Sequence, residues 1–292
     1  MHILPKGAVR AAALMLAAAI TASPGQAHGV IGQRFFPATI TTDDPFAADE
    51  LALPTVSRFD HETDVEFDYS KTIFPGFAIE VGMGHVNIHA PGEPRARGFD
   101  NLEVSPSVEV YRSPAHEFIL TTGLEWEVGG TGSRSVAERS STYTPTVKFG
   151  KGFGDLPDSL KYLRPLAVTG TVGYAMTGAT SEPRSIEWAG AVEYSLLYLQ
   201  NNVRDESFGR LVSHLTPLVE FRFSSPTDGS GTTGTINPGL IWSGKYIQLA
   251  AEAMIPVNRA SGHGTGFIAQ LHFYIDDLFP HSLGRPIFGG HK

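Results

Sequence analysis

The sequence has no cysteine, which excludes disulfides and thiolate metal sites. Beyond its first 27 residues it has no run of 18 apolar residues, so no membrane-spanning helix is written there. Positive charge is scarce: 22 Lys+Arg stand against 30 Asp+Glu, for a formal net charge of −8. That balance argues against a nucleic-acid partner, which needs a basic face. What the chain does have is Gly, 32 residues, and Pro, 20 residues, the punctuation of many turns.

The first 27 residues read as a secretory signal peptide. Lys6 and Arg10 make a positive start, and Ala11 to Ile20 (AAALMLAAAI) is an apolar core too short for a membrane helix. Small residues, Gly25 and Ala27, precede a cut after Ala27. Removing Lys6 and Arg10 with this segment takes the net charge from −8 to −10. Residues 28–58 lack clean alternation and hold three prolines. They read as an N-terminal periplasmic arm or plug, with room for a first strand around Ile31–Phe36 or Leu51–Val56.

From Glu62 a period of two takes over, the strand period. It is clearest in residues 100–129. Leu102, Val104, Pro106, Val108 and Val110 share one side there, against Asn101, Glu103, Ser105, Ser107, Glu109 and Tyr111. After Arg112–Ala115 the pattern resumes, with Phe118, Leu120, Thr122, Leu124, Trp126 and Val128 against Glu117, Thr121, Gly123, Glu125 and Glu127. Each arm is about a dozen residues, where a strand crossing a bilayer needs about 9–11. Eleven such candidates run from Thr63 to Ile275.

Their connections alternate. Ser70–Gly76, Arg112–His116 and Ser243–Lys245 are short. HAPGEPRARGF, GGTGSRSVAERS, TGATSEPRS, SSPTDGSGTTG and VNRASGHGTG are longer. Bacterial outer-membrane barrels carry short periplasmic turns and long outer loops. The expected fold is therefore all-β: an antiparallel transmembrane up-and-down β-barrel of about 12 strands (10–12), one of them hidden in residues 28–58. The expected division is signal peptide 1–27, arm 28–58, barrel 59–276 and tail 277–292. Lys151–Tyr162, long for a periplasmic turn, reads as containing a short helical turn.

With the apolar register toward lipid, the lumen-lining candidates are Glu103, Glu109, Glu117, Glu125, Glu127, Glu193, Glu220, Arg222 and Glu252. Asp64, Glu66, Asp68 and Glu80 share that register, with Lys148, His214 and His272 among the few bases. Such a lumen attracts cations. Arg34 or Arg58 could neutralise part of it. The second strand is expected to slip register at Gly82-Met83-Gly84. Candidate interfacial aromatics include Trp126, Trp188, Tyr198, Phe223, Trp242 and Tyr274.

No catalytic residue stands out. There is no GxSxG elbow, and Ser213-His214 reads as mid-strand. His85 and His89, four apart on a strand, lie roughly 13 Å apart, too far for one metal ion. His28, the first mature residue, could chelate copper through its amine and imidazole. That gives a secreted copper-binding β-protein as one alternative. No other metal and no cofactor is expected.

The segments GKGFGDLPDSLKYLRPLAVTG (Gly150–Gly170) and QLHFYIDDLFP (Gln270–Pro280) give the chain a resemblance to proteobacterial outer-membrane transporter-like barrels grouped as "MetA-pathway of phenol degradation". It covers roughly residues 60–275 and carries over no functional residues. It implies a bacterial outer-membrane location and passage of small organic solutes, with lipids and the barrel assembly machinery as partners. A non-conducting barrel that binds through its loops is the other alternative. The chain departs from many such barrels by running past its last strand, so Phe273 or Phe279 would have to mark the strand end internally.

Overall fold

The computed structural model describes residues 29–178 and 183–289. The signal segment and His28, with the copper reading that rests on it, lie outside the described residues. The chain opens with a small ribbon, β1 (Val30–Ile31) and β2 (Arg34–Phe35), followed by an extended stretch to Asp49. The barrel wall then begins with β3 (Glu50–Phe59), β4 (Glu62–Phe74) and β5 (Phe77–Ile88). A short extra strand, β6 (Ala96–Phe99), precedes β7 (Leu102–Ser113), β8 (Phe118–Val128), β9 (Thr142–Gly152) and β10 (Leu166–Thr177). The wall finishes with β11 (Ser185–Tyr194), β12 (Leu215–Pro226), β13 (Thr233–Ser243), β14 (Ile247–Pro256) and β15 (Gly266–Tyr274).

Every wall strand pairs antiparallel with its neighbour, and β15 pairs with β3, which closes a 12-strand ring. Closure removes the unpaired edges that an open sheet would expose. The hidden first strand is Glu50–Phe59, so the arm proper ends at Asp49. β6 pairs with the far half of β5 while β7 pairs with its near half, one residue out of step. It is in effect a continuation of β7 across Asp100-Asn101.

The wall strands are 9 to 13 residues long. One end of the barrel carries links as tight as Pro75-Gly76, and the other carries long ones such as residues 129–141. These are called here the turn end and the loop end. The Lys151–Tyr162 link does contain a helical turn, Asp158–Leu163. The outer surface is apolar, with Val110, Val147, Val172, Val192, Leu240 and Phe267 all exposed. Aromatic pairs ring both ends: Trp126–Tyr143 and Trp188–Phe223 (centroids 5.9 and 4.3 Å) near the loops, Tyr111–Phe118 and Phe74–Phe77 near the turns. This is the outer surface that a bilayer requires, aliphatic at mid-height and aromatic at the interfaces.

Four expectations fail locally. β5 does not slip at Gly82–Gly84; its pairing with β4 is continuous there. The glycines make room instead. A Cβ on Gly82 would collide with the Asp68 carboxylate, and one on Gly84 would sit 3.0 Å from Asp64 Oδ1. The slip falls in β7, where Val110 is passed over between Glu109↔Thr121 and Tyr111↔Leu120, and it turns Tyr111 outward. Ser213-His214 is not mid-strand: Arg210–Ser213 is a helical turn and β12 starts at Leu215. Tyr198 and Tyr274 are buried, 6 % and 0 % exposed, and are not interfacial. Tyr274 points inward and donates to Gln248 Oε1 at 2.8 Å.

The tail turns back along the wall. Lys71 Nζ donates to the carbonyls of Leu283 and Arg285, and Phe288 stacks on Phe74 at 5.3 Å.

Candidate functional site: an acid-lined lumen and its plug

Residues 29–49 occupy the turn-end half of the lumen. The ribbon turns through Gly32, whose φ of +63° suits glycine. It packs on the β7–β8 link, where Arg112 donates to the Val30 carbonyl at 2.7 Å. The arm then rises to Thr41, reverses as Asp44 accepts from Phe46 N at 2.8 Å, and descends into β3. A backbone in this path has no strand neighbour, so its N–H groups must find side-chain acceptors.

The wall's carboxylates supply them. Glu220 Oε1 accepts from Ile40 N at 2.8 Å. Its Oε2 accepts from Thr41 N and Oγ1 at 2.8 Å and from Thr42 N at 2.7 Å. Glu109 accepts from Ala47 N at 3.1 Å. Gln248 donates to the Ala38 carbonyl at 2.6 Å, and Thr121 donates to that of Pro45.

Arg34 anchors the entry. It is fully buried, lies 3.3 Å from Glu117 Oε2, donates to the carbonyls of Arg164, Pro165 and Leu166, and stacks 4.0 Å over Tyr198. Glu117 also accepts from Gly154 N at 3.0 Å. A Cβ on Gly152 or Gly154 would strike the Glu117 carboxylate, so the Lys-Gly-Phe-Gly run at 151–154 leaves room for this pair. Asp49 is held by Lys71 Nζ at 2.6 Å and Thr72 N at 2.8 Å.

Apolar contacts complete the plug. Ile31, Phe36, Phe46 and Ala48 form one buried cluster with Ile119 and Ala167 of the wall. Ile40 packs against a second, made of Leu218, Ile241 and Ala250. Ile119, Leu218 and Ile241 sit in the register that is otherwise polar, and each lies where the plug lies.

Above the plug the lumen is polar and open to solvent. Two adjoining cavities of about 350 and 390 Å³ share the plug tip at Asp43. Glu103, Glu125, Glu127 and Arg222 line both. Eleven carboxylates line the larger one, against the fixed cations Lys148 and Arg222 and the imidazole of His272. Lys148 Nζ bridges Asp43 at 3.6 Å and Glu125 at 3.5 Å. His272 faces Glu50 at 3.1 Å. Burial alone would raise the Asp43 carboxyl; the charges of Lys148 and Arg222 outweigh it and hold the group below its ordinary value.

The sequence-derived candidates thus divide between two places. Glu103, Glu125, Glu127 and Arg222 face the open cavity. Glu109, Glu117 and Glu220 hold the plug. Glu193 and Glu252 are buried, 2 % and 4 % exposed. Of the two arginines considered as neutralisers, Arg34 meets an acid, Glu117, while Arg58 lies exposed on β3. The plug contacts of Gln248, Thr121 and Asn237, whose Nδ2 donates to Thr41 Oγ1 at 3.2 Å, were not legible as functional. Among the described residues no three His, Asp or Glu converge on a metal position.

No family model matches the sequence, and no curated protein matches it. Solved structures match the fold. The KdgM porin aligns over 77 % of this chain and 98 % of its own, with TM-score 0.51 and 14 % identity. The KdgM porin in complex with disordered oligogalacturonate aligns over the same shares at TM-score 0.50 and 13 % identity. A NanC porin structure aligns over 78 % and 98 % at TM-score 0.49 and 11 % identity. The chain has the fold of a porin-like 12-strand barrel.

Proposed function

We propose that this chain is a bacterial outer-membrane channel for small solutes, cation-selective, and closed at rest by its own N-terminal arm. One observation carries this reading. The lumen wall is acid-rich above the plug, and residues 29–49 occupy the lumen below, held by side-chain and backbone contacts to the wall. The apolar belt and the two aromatic rings support a place in the bilayer. In that orientation the turn end and the arm face the periplasm. The barrel assembly machinery and outer-membrane lipids are the partners this implies. The resemblance to the MetA-pathway group adds small organic molecules as cargo. No step of the reading needs a catalytic residue.

The ligand of the KdgM porin complex, oligogalacturonate, is a polyanion by its chemistry. Eleven carboxylates around one cavity would repel it, so that cargo does not transfer.

The test is a reversal potential in planar bilayers under a potassium chloride gradient. The mature chain should favour potassium at neutral pH, and Glu103→Gln with Glu125→Gln should reduce the preference. A preference for chloride overturns the selectivity. Absence of any current, even when the plug is released, supports the second reading: a non-conducting barrel, which the number of contacts holding the arm favours.

A further inference from the structure

The acids of the larger cavity are not evenly neutralised. Lys148 is engaged with Asp43 and Glu125, and His272 with Glu50. Between these, Asp64, Glu66 and Asp68 line up along the inner face of β4, with Glu80 of β5 and Glu103 of β7 beside them. Among the described residues none of these five carries an ion pair. β5 leaves space for the row, since Gly82 and Gly84 lie under the carboxylates of Asp68 and Asp64. Asp64 is 9 % exposed, and among the described residues no donor reaches its buried Oδ1. A buried acceptor without a donor is costly and points to a missing partner.

The partner's shape follows from the spacing. Alternate residues on a strand repeat at roughly 6.6 Å. The acids therefore form a row. They do not close on a point, and no metal position exists among the described residues. A row of carboxylates complements a row of ammonium groups.

We propose that the Asp64–Glu66–Asp68 row, with Glu80 and Glu103, binds an extended small organic polycation, a solute carrying several ammonium groups along a short chain. This rests on the channel reading only in that the ligand must enter the lumen. Linear polyamines and short amino-sugar oligomers offer the same chemistry. Monoamines offer one contact and gain little from the row.

The experiment is calorimetric titration of the folded mature chain in detergent micelles at matched ionic strength. The probes are spermidine, a glucosamine trimer and butylamine, and folding is checked by heat-dependent gel mobility. Spermidine, the trimer or both should bind at least about tenfold more tightly than butylamine; which of them does so identifies the source. Asp64→Asn with Asp68→Asn should erase that margin, while Asp155→Asn, outside the lumen, should not. Equal binding of spermidine, trimer and butylamine, or an unchanged margin in the double variant, overturns the proposal. A chain that conducts but does not discriminate defeats this inference alone. A chain that binds spermidine but never conducts defeats the channel reading alone.

Discussion

Glu220→Gln is the sharpest perturbation of the plug. Four hydrogen bonds from Ile40, Thr41 and Thr42 converge on the Glu220 carboxylate at 2.7–2.8 Å. A hydrogen bond to a charged acceptor contributes about 1.5–3 kcal/mol and a neutral one about 0.5–1.5. With the amide oxygen in the Oε2 position, three bonds fall from charged to neutral. The amide nitrogen then faces the Ile40 N–H, donor against donor. Water in the lumen relieves part of this, so the docked plug should lose about 3 kcal/mol, or roughly a hundredfold in its docked-to-free ratio. A cysteine-free chain makes the assay direct. Thr42 is 2 % exposed and its hydroxyl has no hydrogen bond among the described residues, so Thr42→Cys is a mild reporter. A small thiol reagent should modify it slowly in the parent and one to two orders of magnitude faster with Glu220→Gln. Equal rates would show that the carboxylate does not hold the arm.

Other outcomes follow from the same contacts. Arg34→Met leaves Glu117 buried without its cation, which costs about 3–5 kcal/mol, and denaturant titration should show that loss with the arm releasing first. Val172→Arg puts a charge on the outward face and should cost about 2–4 kcal/mol at mid-bilayer, read by folding into vesicles; Glu103→Lys, facing the cavity, should fold normally and shift only selectivity. Asp43, held below its ordinary carboxyl value of 3.8, binds its proton less readily when folded than when free. It therefore stabilises the plug tip above that value and stops doing so as pH falls through its lowered one. Conductance should rise below about pH 4, and Asp43→Asn should remove that rise; a flat profile in the parent would refute the coupling.

The alternation in residues 100–129 and the alternating lengths of the connections were enough to read about 12 antiparallel strands (10–12), because a two-faced wall writes its period directly into the chain. The plug was harder to read. Residues 29–49 form almost no regular structure, and their partners are scattered over β7, β8, β12 and β14. A trace did exist: Ile119, Leu218 and Ile241 break the polar register, and each lies beneath the arm. Glycine was ambiguous for a physical reason. Gly82 and Gly84 look like a bulge in sequence, yet they clear space for Asp68 and Asp64. Thr121 shows the cost of reading register alone. Thr121 alternates with the lumen-facing glutamates, but its side chain is 1 % exposed and donates to the Pro45 carbonyl, so Thr121→Arg should dislodge the plug.

The central claim, that the arm closes a conducting acid-lined barrel, is tested by fastening it. Asn237 Nδ2 and Thr41 Oγ1 are 3.2 Å apart, so cysteines at the two positions lie within reach of a short bis-thiol cross-linker that carries a reducible bond. Single-channel recording of Thr41→Cys with Asn237→Cys should show little current when cross-linked. On reduction it should show larger, potassium-selective openings. Equal currents in the two states, or openings that prefer chloride, would contradict the account.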